Sequence, residues 1–181
     1  MKEIRIHGRG GQGSVITAEI FAIAAFEDGK YSQAFPRFGG ERRGAPVEAF
    51  IRIGDKPIRL KSQVYNPDYV ILQDTSLLQV VDVLQGLKPD GMILVNTEKS
   101  PEELGLQTQA QVITFPATQI ALEILGAPIT NTAIMGAFLA ATDLISMKSL
   151  EPAVREKFPG DLGDKNVKAA RKAYEKMREA L

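Results

Sequence analysis

The sequence predicts an open α/β fold of three layers. Its sheet is mixed but mainly parallel and carries an antiparallel hairpin, and its C-terminus is helical. Three observations point there. Short β-branched apolar runs alternate with amphipathic stretches through the first two-thirds of the chain, which calls for strands joined by crossover helices. A glycine-rich turn, "GRGGQG" at residues 8–13, separates the first such strand from the first helix. From Asn131 onward the pattern is helical to the end, broken only at "PGDLGD". With 181 residues, no internal repeat and no low-complexity stretch, residues 1–181 read as a single domain.

"EIRI" (3–6) alternates in polarity and forms the first strand. "SVITAEIFAIAAFEDG" (14–29) is an Ala-rich helix closed by Gly29. "KYSQAF" (30–35) is the second strand, and the breaker-rich "PRFGGERRGAP" (36–46) is a loop. "VEAFIRI" (47–53) and "IRLKS" (58–62) flank a Gly-Asp turn and read as a β-hairpin. "DYVILQD" (68–74) is a buried strand, followed by a helix over "SLLQVVDVLQGL" (76–87) with Ser76 as its cap. "GMILVNT" (91–97) and "AQVITFPA" (110–117) are further strands, and "TQIALEILG" (118–126) is a helix stopped by glycine. Helices over 131–145, 149–158 and 164–181 complete the chain. In open α/β sheets, ligands meet the loops at the carboxyl ends of the strands. The glycine turn, "GGERRG", "LQDTS" and "LVNTEK" all follow strands and are expected on one rim.

Composition excludes much. Lys+Arg and Asp+Glu both number 22, so no global field favours nucleic acid or an anionic membrane. The longest apolar run, "AIMGAFLAA", is about half of what a membrane span requires. "MKEIRIHGRGG" meets glycines too early for a signal peptide, and a cytoplasmic location is expected. With no Cys, this chain alone builds no disulfide, thiolate zinc site or cysteine-ligated iron–sulfur cluster. With one His, His7, it has no two-imidazole site and no Ser/His/acid or Cys/His set. No catalytic residue and no metal site is expected.

The turn Gly8, Gly10, Gly11, Gly13 matches G-x-G-x-x-G in a strand–turn–helix setting, a Rossmann-like first βα unit. That fingerprint also requires an acid about 20 residues on, at the end of the second strand, to hold a ribose. "KYSQAFP" has none, and Glu27 and Asp28 come too early, so a free-standing NAD or FAD site is disfavoured. Two uses stay open: oxyanion contact at a helix N-terminus, and a purely structural turn. Arg42 and Arg43 also have two readings. Guanidinium forks clamp phosphate or carboxylate, or else Glu41 pairs with one of them and the loop packs on itself or a partner chain. Asn131 or Thr132 is a natural N-cap, and Gly136 and Ala137 allow a close helix approach in a charge-free, core-like stretch. His7 is either a hydrogen-bonded structural residue or a donor to a ligand.

Taken together, "GRGGQG", "DGKYSQAFPRFGGERRGAPVEAFIRI", "NPDYVILQD", "GMILVNT", "PITNTAIMGAF" and "DKNVKAARKAYEKM" resemble the gamma subunit of 2-oxoacid:ferredoxin oxidoreductases. "GGERRGAPVEAF" is most similar to the pyruvate and 2-oxoisovalerate branches, hence to pyruvate synthase. The resemblance implies a multi-chain enzyme, a heterotetramer with alpha, beta and delta subunits. Such enzymes decarboxylate a 2-oxoacid on thiamine diphosphate, pass electrons through [4Fe-4S] clusters to ferredoxin, and form an acyl-coenzyme A. It places the thiamine diphosphate in the alpha and beta chains and the clusters in the delta and beta chains. This chain would then be an accessory subunit, inactive alone, for which three roles stand. It helps coenzyme A through the glycine turn, Arg42 and Arg43; or it is a purely structural interaction subunit; or, less in keeping with the resemblance, it is an independent nucleotide-binding protein.

Overall fold

In the computed structural model, which describes residues 1–37 and 42–181, strand-forming runs assemble into one six-stranded sheet. The strands are β1 (Lys2–Arg9), β2 (Tyr31–Pro36), β3 (Pro46–Gly54), β4 (Tyr69–Leu72), β5 (Met92–Asn96) and β6 (Gln111–Phe115), in the order β2-β3-β1-β4-β5-β6. The helices are α1 (Ser14–Glu27), α2 (Pro101–Leu104), α3 (Ala117–Leu125), α4 (Asn131–Thr142), α5 (Met147–Lys157) and α6 (Asp161–Ala180). The fold is thus α/β with a mixed sheet, as expected. β1, β4, β5 and β6 pair in parallel, while β3 runs against both β1 and β2. Since β1 and β2 both oppose β3, they point the same way. The carboxyl ends of every strand except β3 therefore share one rim.

Alternation along β1 explains the layers. Ile4 and Ile6 face a core shared with α1, α3, α4, α5 and α6, where α4 is buried from Asn131 to Ala140. A Cβ on Gly136 would collide with the Ala170 carbonyl of α6, so glycine lets α4 and α6 approach this closely. The second face, Val70, Leu72, Ile93 and Val95, is covered by Leu77 and Val83 from the chain between β4 and β5. No helix among the described residues is long and apolar enough to cross a membrane.

Two expectations need correction. The antiparallel hairpin is β2–β3, with Tyr31 opposite Gly54 and Pro36 opposite Ala49, and residues 58–62 form no strand. β3 already has β1 on one edge and β2 on the other, so the chain beyond Gly54 has no ladder to join. Instead, Arg52, 1% exposed, ties it down by donating from Nη2 to the Gln63 carbonyl at 3.1 Å. The helix expected over 76–87 is a 3-10 turn, Thr75–Gln79, followed by irregular turns. Asp74 starts that turn by accepting from Ser76 N at 2.9 Å, and Asp82 Oδ1 accepts from Leu84 N at 3.2 Å. These local bonds and three nearby β-branched valines compete with helix.

Candidate functional site

At the end of β1 the chain reverses through the glycine turn into α1. Gln12 organises it: Oε1 accepts from Arg9 N at 2.7 Å, and Nε2 donates to Asp74 Oδ2 at 2.9 Å. The glycines have separate tasks. Gly11 (φ 96°) and Gly13 (φ 78°) lie in the left-handed region that favours glycine. A Cβ on Gly8 would strike Ser14 Oγ, so its absence brings strand and helix together; one on Gly10 would strike the Arg42 carbonyl oxygen. At Gly10 the two loops predicted to be functional meet. Gly10 N donates to the Ala45 carbonyl at 2.8 Å, and Gly44 N donates to the Gly10 carbonyl at 3.0 Å.

The structure therefore brings Gly8, Gly10, Gly11, Gly13, Arg42 and Arg43 to one place on the carboxyl rim. All of these but Gly8, which packs against Ser14 and Gln73 beneath the turn, border an open cleft of about 700 Å³ lined by residues 9–13, the first turn of α1 (Ser14–Ile16), Arg42, Arg43 and Val47. Gly13 caps α1 without any side-chain cap bond, which leaves the first-turn N–H groups and the positive end of the helix dipole facing the cleft. Arg42 and Arg43 are exposed and have no carboxylate partner among the described residues. The pairing with Glu41 considered above lies outside the described residues. Amide donors, a helix N-terminus and two guanidiniums are a donor set suited to oxyanions. The NAD reading weakens further, because β3 stands between β1 and β2. The end of β2, where the ribose-binding acid would sit, is one strand further away.

The loops "LQDTS" and "LVNTEK" share this rim with the glycine turn as the sequence leads one to expect, but the individual side chains that hold it together were not singled out. Arg9 donates from Nη1 to the Gly44 carbonyl at 2.8 Å and from Nε to Ser76 Oγ at 2.9 Å, joining the glycine turn to both neighbouring loops. Partial burial opposes ionisation of Asp74, but hydrogen bonds from Ser76 and Gln12 and the nearby Arg9 charge outweigh it. Its carboxyl stays below the usual range. Gln73 accepts from Ser14 Oγ at 2.6 Å, and its backbone carbonyl accepts from Asn96 Nδ2 at 2.9 Å. Polar residues immediately after a buried strand, as in "LQDTS" and "LVNTEK", were the available signal. His7 takes no part. It is 1% exposed on the other face, where its Nε2 accepts from Arg5 Nε at 2.9 Å. Burial, together with the Arg5 charge, pushes its pKa down to about 4, so the ring is neutral and closed to the cleft. Among the described residues no three His, Cys, Asp or Glu side chains gather as a metal site.

The family model described as pyruvate ferredoxin/flavodoxin oxidoreductase matches residues 3–176. The chain is 60% identical over 178 residues to the pyruvate synthase subunit PorC of Methanosarcina barkeri, covering 98% of each chain. It is 59% identical over 181 residues to the common subunit gamma of the pyruvate/ketoisovalerate oxidoreductases of Pyrococcus abyssi, again covering 98% of each. A crystal structure of the pyruvate oxidoreductase subunit PORC of Thermotoga maritima superposes with a TM-score of 0.85 at 40% identity, over 96% of this chain and 95% of that one.

Proposed function

The chain belongs to the pyruvate ferredoxin/flavodoxin oxidoreductase family, and on that premise we propose how its rim cleft serves such an enzyme. Its relatives are gamma-type subunits of pyruvate and ketoisovalerate oxidoreductases, and this chain is a gamma-type subunit of a multi-chain oxidoreductase acting on 2-oxoacids. In our reading the assembly is a cytoplasmic heterotetramer with alpha, beta and delta chains that converts pyruvate to acetyl-coenzyme A and CO2, with ferredoxin as acceptor. Thiamine diphosphate and the [4Fe-4S] clusters sit in the partner chains. The lack of cysteine supports the cluster part of this division, since a chain without cysteine cannot ligate a thiolate-bound cluster.

Coenzyme A brings phosphates, and the cleft fits them. One observation carries this reading: the glycine turn, the uncapped start of α1, Arg42 and Arg43 converge on one open cleft. Backbone N–H groups of the first turn of α1 would donate to phosphate oxygens, with Arg42 and Arg43 neutralising charge from the facing loop. Coenzyme A supplies the thiol that receives the acyl group. This chain's part is to hold the phosphates and so fix where the carrier enters.

The double variant Arg42→Ala/Arg43→Ala in the assembled complex tests it. Loss of two charge-assisted contacts is expected to raise KM for coenzyme A by about tenfold or more, with KM for pyruvate unchanged. Unchanged coenzyme A kinetics in an intact complex would refute the phosphate role. A variant that elutes as separate subunits in gel filtration would instead support the second reading, a subunit interface; the exposure of both arginines is the observation favouring it.

A further inference from the structure

β1 turns a different set of side chains away from α1, and among them is a nearly buried cation with no carboxylate in ion-pair contact among the described residues. Arg5 is 5% exposed. Its Nε donates to neutral His7, and its Nη2 donates to the carbonyls of Val83 at 3.1 Å and Gln85 at 2.6 Å. Nη1 has no partner among the described residues. The neighbouring carboxylate is engaged elsewhere: Glu48 Oε2 accepts from Arg37 Nη1 at 2.7 Å, and Oε1 lies 3.6 Å from His7 Nδ1. Neutral partners satisfy part of the guanidinium's hydrogen bonding, while Glu48 and Asp82 act on its charge only from beyond ion-pair contact and do not outweigh the cost of its burial.

Arg5 opens on a cavity of about 420 Å³, within the range of small-molecule sites. Arg37, Glu48, Phe50, Tyr65 and Asn66 also line it. Two arginines and one glutamate give that lining one net positive charge, and two aromatic rings give it an apolar wall. We propose that this cavity binds a small monocarboxylate with an apolar, ring-sized body, its carboxylate on Arg5 and its body against Phe50 and Tyr65. A single negative charge neutralises the lining, and the planar guanidinium fork matches a carboxylate better than a point cation does.

Titration calorimetry of the 181-residue chain with benzoate, benzamide and inorganic phosphate tests this. Benzoate is expected to bind at one site, about tenfold or more tighter than its uncharged isostere benzamide, and tighter than phosphate. Arg5→Gln is expected to weaken benzoate by about tenfold or more. Because Arg5 also pins the carbonyls of residues 83 and 85, Glu48→Gln provides an independent arm. Removing the competing carboxylate doubles the net positive charge and is expected to tighten benzoate about fivefold. Absence of benzoate binding, equal affinity for benzamide, a preference for phosphate, or a Glu48→Gln variant that binds benzoate no more tightly would each overturn the proposal.

Discussion

Gly10 shows how narrowly single residues shape the rim. Its missing Cβ is where the Arg42 carbonyl sits, so Gly10→Ala must push the 42–45 segment off the glycine turn. Denaturant unfolding should show a loss of about 1–3 kcal/mol, the usual cost of overpacking. His7 gives a pH signature instead. Its pKa, about 4 in the folded state, lies below the ordinary 6.5, because burial and Arg5 disfavour the charged ring. Between those values the unfolded chain binds more protons, so stability falls as pH drops through that window. The expected loss between pH 7 and pH 5 is about 2 kcal/mol. His7→Gln, whose amide oxygen can still accept from Arg5, should flatten that slope; an unchanged slope would assign it to other groups. At this scale the glycines and Arg42/Arg43 were legible, because turn and charge chemistry is local. Arg5, Arg9 and Arg52 were not. Their partners, at positions 83, 44 and 63, are distant in the chain and become neighbours only once the sheet forms.

Elements were legible where local preference and tertiary packing agree. α1, α3, α4 and all six strands fall where periodicity put them, with boundaries shifted by a few residues. The failures share a cause. Segment 58–62 has strand-like composition but no open edge, since β3 is paired on both sides. Segment 76–87 has enough apolar residues for a helix, but Asp74 and Asp82 divert its backbone into turns that still bury Leu77 and Val83. Helix packing yields a prediction of its own. Gly136→Ala would force α4 from α6 and should cost about 3 kcal/mol, a fall of roughly 6–12 °C in Tm for a domain this size. A melting point within a degree or two of the parent would mean the α4–α6 pair yields easily.

Across the whole molecule, the sheet sorts its duties by position. Helices bury one face, a thin cover of turns protects the other, and the carboxyl rim gathers the glycine turn, Arg42 and Arg43. A chain with no cysteine supplies no thiolate for an iron–sulfur cluster. Purified by itself, it should give no 2-oxoacid-dependent reduction of a dye acceptor, and mixing with its partner chains should restore activity. Whether this rim holds the phosphates of coenzyme A is decided by a structure of the assembled complex with coenzyme A bound. Phosphate oxygens are expected within hydrogen-bond distance of N–H groups in the first turn of α1 and of Arg42 or Arg43. Coenzyme A whose phosphates are held wholly by other chains, with this cleft packed against a neighbouring subunit, would contradict it.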